Sequence, residues 1–468
     1  MMISFSETFD KVRECFNDES IVNTLGRKLD SVTIIRDVNG KIRIFLESLE
    51  NNTPLENNTI EELETTDLKT LLSTKLGKYY GNDIWLPRRN NDAYQSLIKT
   101  IKDERVFASW DNGSSPRWYI LERHIAKQAW IDNNVGEQPW TEAVVYQKYK
   151  PAIISFFSFK GGVGRTSSLV ATALTLARNG HRVAIVDLDL EAPGLATIFS
   201  PDNPDNPNNP NNPGVIDYLL EKKIQEQDWK LRTHLISINE RILLDDNGES
   251  IQLLPAGTVD KNYLEKLARL DFQNLVNGEL ESTMVSMLKE LESAVRPLDF
   301  ILMDARAGFH DIGGLAIAKL SHAAVIFGTQ SRQSWAGLTH VIRHLASPGV
   351  DERLPLILVH SMAPATGIPG RETELTEFRE QAYDLFRENY YSEDEDVPDA
   401  NNREEPFFPL VVPYQESLRG DIALFSRNST PEESTRLSKL AEIMTNSPYK
   451  EIAEKLCNLF GREFQKNN

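Results

Sequence analysis

The stretch from Ser158 to Ser167, Ser-Phe-Lys-Gly-Gly-Val-Gly-Arg-Thr-Ser, constrains this chain more than any other. It comes directly after an apolar run, Ala152 to Phe157, and directly before a segment, Ser167 to Arg178, whose apolar residues fall at helical spacing. A phosphate group is held by backbone N–H groups that converge at the N-terminus of a helix, and glycine lets the chain close that tightly. Gly161, Gly162 and Gly164 meet this need. Thr166 then places a hydroxyl where a magnesium ion bridging the terminal phosphates takes a ligand. The order strand, loop, helix is what separates a phosphate-binding loop from a glycine-rich turn.

The rest of the chain supplies a sheet for this loop. Further apolar runs follow at Arg182–Val186, Ile251–Leu254, Phe300–Met303, Ala323–Phe327, Leu356–Val359 and Phe408–Val412. Most are continuous rather than alternating, as strands covered by helices on both faces are. Separated by longer amphipathic segments, they predict an α/β fold: a mostly parallel, doubly wound sheet with helices on both faces. Asn179-Gly180 predicts the stop of the first helix.

Residues 1–148 read differently. Val32 to Leu46 predicts a hairpin turning at Asn39-Gly40, with helices expected at Leu68–Leu76 and Asp92–Lys102. The expected division is a smaller N-terminal α+β domain over 1–148, a nucleotide-binding domain over 149–440, and a C-terminal helix within 441–468 packed upon it. Pro201–Pro213 and Ser392–Pro406 are expected to be loops.

Length and composition agree with a folded protein of two or three domains: 468 residues, 40% hydrophobic and 26% charged. No apolar run is long enough to span a membrane and the N-terminus lacks a leader pattern, so a cytoplasmic location is expected. Cys15 and Cys457, the only cysteines, give no disulfide framework and no paired-cysteine metal motif. A net charge of −18 disfavours non-specific nucleic-acid binding.

The loop lacks the first glycine of the common G-x-x-x-x-G-K-[ST] pattern, which is Phe159 here, and has Lys160 before the glycine pair. In this it resembles the deviant Walker A loop, Lys-Gly-Gly-x-Gly-Lys-[Thr/Ser], of the ParA/MinD-like P-loop ATPases, in the variant that reads Lys-Gly-Gly-Val-Gly-Arg. The resemblance covers about Ala152 to Leu424. It implies that ATP and Mg2+ bind at Lys160, Gly161, Gly162, Val163, Gly164, Arg165, Thr166 and Ser167, and that Lys160 reaches the phosphates of a partner subunit in an ATP-dependent homodimer.

Other segments align with the same family. Val183 to Gly194 ends a strand with Asp187 and Asp189, carboxylates at i and i+2 that share one side of an extended chain. The resemblance implies that Asp187 lies near the metal with Thr166, that Asp189 is catalytic in positioning the attacking water, and that Asp304, ending Phe300–Met303, holds magnesium as a Walker B aspartate does. His360 stands where the family often has an asparagine that reads adenine, and Pro413 and Tyr414 match a loop that packs on the base. Arg165 departs from the family's second lysine and Arg306 from a usual proline. Guanidinium also pairs with phosphate oxygens, so phosphate binding is expected to survive.

Two cysteines outside the core exclude the nitrogenase iron protein, and the tail lacks the tyrosines of related kinases. A membrane-seeking terminal helix of the MinD type is disfavoured because Tyr449–Phe464 mixes charges on its polar face. The implied function is an ATP-hydrolysing switch that dimerises around nucleotide and signals to a protein partner through its N-terminal domain. The arginine variants resemble regulators that sit beside effectors in bacterial conflict or stress systems. The alternatives are a non-hydrolysing nucleotide-dependent scaffold and a DNA-partitioning ATPase.

Overall fold

The computed structural model describes residues 3–26, 28–48, 62–86, 92–124, 126–131, 151–199, 213–225, 229–270, 279–294, 297–346, 353–392, 395–420, 422–426, 428 and 430–465. Two compact units divide the chain, Met1–Ile125 and Ala126–Asn468. The expected boundary near Gln147–Pro151 falls almost wholly outside the described residues. Gln128–Ile131, assigned by the sequence to the N-terminal domain, is a short helix of the second unit.

In the first unit the strands are β1 (Leu29–Arg36), β2 (Ile42–Ser48), β3 (Tyr80–Trp85), β4 (Val106–Phe107) and β5 (Arg117–Glu122), in the spatial order β3-β2-β1-β5-β4. β1 and β2 form the expected antiparallel hairpin, with Gly40 at a φ of 76°. Only glycine adopts that angle without strain. β1 also pairs in parallel with β5, so the hairpin is the centre of a mixed sheet. Helices Thr8–Phe16 and Glu62–Leu76 cover it with Val12, Cys15, Leu68 and Leu72.

The second unit carries β6 (Ala152–Ser158), β7 (Val183–Asp187), β8 (Ile236–Ile238), β9 (Ile251–Leu254), β10 (Phe300–Asp304), β11 (Ala323–Gly328), β12 (Leu356–Ala363) and β13 (Leu410–Pro413). Their order is β13-β12-β11-β6-β10-β7-β9-β8, and every pairing is parallel except β8 with β9. Successive side chains of β10 show why the strand reads as a continuous apolar run. Phe300 and Leu302 enter one core, with helix Arg165–Arg178, while Ile301 and Met303 enter the other, with helices Glu279–Ala294 and Asp311–Lys319. The doubly wound arrangement follows.

β6 sits where the strand order reverses, between β10 and β11. In open parallel sheets that crevice, beyond the carboxyl ends of the strands, is where ligands bind. Helix Arg165–Arg178 starts there and stops at Asn179, with Gly180 at a φ of 81°. Helix Pro431–Thr445 crosses the expected 440/441 division, and the last helix ends at Leu459 rather than Phe464. Tyr449, Ile452, Leu456 and Phe460 are buried in the core that also holds helix Arg165–Arg178. At roughly 1.5–3 kcal/mol for each large apolar side chain, that burial leaves little reason for the helix to enter a membrane surface. Among the described residues, no helix is long and apolar enough to cross a membrane. The Pro-rich tract lies outside the described residues up to Asn212.

Candidate functional site

The loop after β6 turns on two left-handed glycines, Gly162 at φ 71° and Gly164 at φ 77°. A methyl group built on Gly161, Gly162 or Gly164 would meet nothing within 4 Å, so the loop encloses open space in front of the helix that begins at Arg165. Hydrogen bonds from the segment after β10 and from β12 brace it. Gly308 N–H donates to the Ser158 carbonyl at 3.1 Å, and the Ser361 hydroxyl of β12 donates to the Val163 carbonyl. Ser361 was not legible as a site residue, because its sequence context is an ordinary strand.

Three aspartates converge at the strand ends. Asp304 and Asp187 occupy paired positions on β10 and β7. Asp304, 2% exposed, accepts from Thr166 Oγ1 at 2.6 Å and from Arg165 Nε at 2.6 Å. Arg165 Nη2 reaches Asp189 at 3.2 Å, so one guanidinium bridges both carboxylates. Burial raises the Asp304 pKa and Arg165 opposes that rise. Burial also pulls the Arg165 pKa down, but Asp304 and Asp189 outweigh it and leave it raised. A planar fork suits this double pairing where a lysine ammonium would reach only one carboxylate.

Asp187 has a different environment from the one expected. It is fully buried, and its oxygens accept from the N–H groups of Asp189 at 3.1 Å, Gly194 at 3.2 Å and Leu195 at 3.0 Å. Burial, followed by the neighbouring Asp304 charge, pushes its pKa up to about 7. These bonds let Asp187 shape the 189–195 loop beside the strand end that carries Asp304.

Asp189 is also approached by Arg306, whose Nη1 lies 3.6 Å away and whose Nη2 pairs with Glu191 at 2.8 Å. Glu191 in turn meets His310 Nε2 at 2.9 Å. The segment after Asp304 is thereby tied to the segment after Asp187. Sequence reasoning singled out Arg306 but passed over Glu191, since an acidic residue in a loop carries no spacing signal.

Lys160 is exposed and takes no partner among the described residues. Phe159 turns inward instead, and its ring fills a notch in helix Arg332–Ala346, where a methyl group on Gly337 would stand 2.0 Å from it. Tyr414, 40% exposed, follows Pro413 at the end of β13, and its N–H donates to the Ala363 carbonyl. Pro413 is thus the last residue of β13 and Tyr414 the first after it.

His360 is not open to a ligand. It is fully buried and stacked on Phe378 with ring centroids 3.9 Å apart, and its Nε2 lies 3.3 Å from Glu374 without hydrogen-bond geometry. Burial, reinforced by Arg371, lowers its pKa from 6.5 to about 4. The unfolded chain therefore binds the proton more readily than the native one. Stability from neutral His360 is complete above about pH 6.5 and is lost as pH falls toward 4, by about 2–3 kcal/mol. His360→Phe keeps the stack and should flatten the pH dependence of urea unfolding over that window; an unchanged slope would contradict the assignment.

Residues 151–347 match the sequence family described as AAA domain. Over 162 residues the chain is 27% identical to the cytosolic Fe-S cluster assembly factor CFD1 of Candida albicans, an alignment covering 34% of this chain and 47% of the relative. Over 169 residues it is 27% identical to the iron-sulfur cluster carrier protein of Pseudomonas fragi, covering 33% and 53%. The chain thus spans about half the length of these relatives. Among solved structures, the MinD cell division protein of Aquifex aeolicus aligns with 68% of this chain and 100% of its own, at 18% identity and a TM-score of 0.37. Residues 151–347 are thus the part of the chain that is similar to the AAA domain family, and they contain the 159–167 loop with Arg165.

Proposed function

We propose that the second unit binds ATP with magnesium at the 159–167 loop and works as a nucleotide-driven switch that dimerises and turns over slowly. The observation that carries this reading is the meeting of the Thr166 hydroxyl and the Arg165 guanidinium on Asp304, beside a glycine loop that faces open space. Backbone N–H groups of Gly161 to Thr166 would hold the phosphates. Thr166 and Asp304 are hard oxygen donors and suit magnesium, which binds through one or two protein oxygens together with phosphates and water. Among the described residues no cluster of three or more His, Cys, Asp or Glu side chains could hold a metal alone. Bound magnesium would supply neutralisation of charge on the terminal phosphates.

Arg165 gives the switch its character. Its pairing with Asp304 and Asp189 keeps both carboxylates engaged, so phosphate must compete for the guanidinium before Asp189 is released to orient water. Lys160, exposed and without a partner among the described residues, would act on the phosphates of a second copy. A cation supplied in trans neutralises charge only when two subunits close.

The curated relatives are named for iron-sulfur clusters, and that cargo does not fit this chain's own donors. Cluster sulfur ligands are thiolates. Cys15 and Cys457 lie one in each unit, both buried, and burial pushes their thiols up to about 11 and about 12. Hence the reading takes the nucleotide cycle and leaves the cluster to the relatives.

The test is the size of the native chain in solution with and without ATP-magnesium, beside Lys160→Ala. The expected result is an ATP-driven dimer that disappears in the variant while nucleotide still binds. A variant that dimerises like the native chain would remove the trans role of Lys160. The Arg165 bridge also favours a second reading, a scaffold that binds without turnover, and steady-state phosphate release separates the two.

A further inference from the structure

Two adjacent glycines open the helix Asp311–Lys319, an arrangement that costs about 1 kcal/mol for each glycine relative to alanine. Each has a contact that only glycine permits. A methyl group on Gly313 would stand 2.8 Å from the Arg306 carbonyl, and one on Gly314 would stand 2.5 Å from the indole Nε1 of Trp130. The first glycine lets the segment after Asp304 fold against its own helix. The second receives a side chain from the short helix Gln128–Ile131.

That short helix is fastened at several points. Trp130 Nε1 donates to the His310 carbonyl at 2.8 Å. Lys127 donates to Asp311 twice, through its backbone N–H and through Nζ at 2.8 Å, where Asp311 is 6% exposed. The Trp130 ring packs edge-on against Phe309, with centroids 5.3 Å apart, and tilted against Phe157 of β6 at 5.4 Å. Phe309 lies 5.0 Å from Phe159, the residue before Lys160. An unbroken line of aromatic contacts therefore runs from Trp130 through Phe309 to the nucleotide loop. Arg306, in the same segment as Phe309, holds Asp189 and Glu191.

We propose that Lys127–Trp130 is a docked strap that senses the conformation of the 305–311 segment and hence the occupancy of the loop. The strap begins two residues after Ile125, the last residue of the N-terminal unit, so its release or docking reaches that unit through the chain itself. This inference rests on the nucleotide reading given above. The strap fits the conformation in which Arg165 bridges Asp304 and Asp189. Binding that draws Arg165 to phosphate shifts Arg306, Phe309 and the His310 carbonyl, and the strap then loses its seat. By linkage, a strap that favours the bridged conformation weakens nucleotide binding, and its removal strengthens it.

The experiment is hydrogen exchange on the full chain with and without the non-hydrolysable analogue AMPPNP plus magnesium, following 126–131, 159–166 and 305–316. The expected result is slower exchange in 159–166 together with exchange in 126–131 faster by about fivefold or more. Trp130→Phe keeps an aromatic ring but removes the indole N–H and the five-membered-ring atoms seated at Gly314, and Lys127→Ala loses the amine. Without nucleotide, each should already speed exchange in 305–316, and each should bind AMPPNP about fivefold or more tighter. Protection of 159–166 with 126–131 unchanged, or native affinity in both variants, overturns the strap and leaves the nucleotide reading standing. No protection of 159–166 in the native chain overturns both.

Discussion

Arg165→Ala should cost about 3–5 kcal/mol of stability near neutral pH, the usual effect of removing one member of a buried ion pair. Asp304 is 2% exposed, and Arg165 supplies the charge that opposes the upward pull of burial on its pKa. Without the guanidinium, Asp304 keeps one side-chain donor, Thr166, and meets the nearby Asp187 and Asp189 carboxylates unscreened. Arg165→Lys should fall between, because one ammonium cannot span Asp304 and Asp189 as the bridging guanidinium does. Urea unfolding of the three proteins without nucleotide measures this. A loss below about 1 kcal/mol for the alanine variant would mean that the bridge is not held in solution.

Thr166→Ala addresses the metal rather than the fold. Its hydroxyl donates to Asp304 at 2.6 Å, and losing one hydrogen bond to a carboxylate costs about 1.5–3 kcal/mol at most. The larger effect is expected on nucleotide affinity in magnesium, about 10–100-fold weaker, on the scale seen when groups that hold a metal are removed. In EDTA the variant and the native chain should bind ATP alike. A loss of the same size with and without magnesium would show that Thr166 shapes the loop instead of the metal site.

The loop and its sheet were legible because their physics is local. Glycine at positive φ, a hydroxyl at the start of a helix and continuous apolar strands each leave a mark in the residue order, and Gly162, Gly164, Thr166 and β6 lie as that order implies. What escaped depends on residues far apart in the chain. Asp187 reads as a second metal carboxylate, and only the folded chain shows that the backbone N–H groups of 189, 194 and 195 also bond its oxygens. His360 reads as a base contact, yet Phe378 and burial claim its ring. Trp130 belongs to an aromatic-rich stretch that the sequence assigns to the N-terminal domain, and only the notch at Gly314 shows where it docks. Gly313-Gly314 is the one local trace of that contact, an unfavourable pair inside a helix with no turn to explain it.

Titration of the native chain with ATP, in magnesium and again in EDTA, shows whether the 159–167 loop binds a triphosphate. Saturable binding of one nucleotide per chain is expected in magnesium, weakened when the metal is removed. Heat or fluorescence changes that fail to saturate at millimolar ATP-magnesium would contradict it, because the glycine loop and Arg165 would then have no anion to hold, and Thr166 and Asp304 no metal.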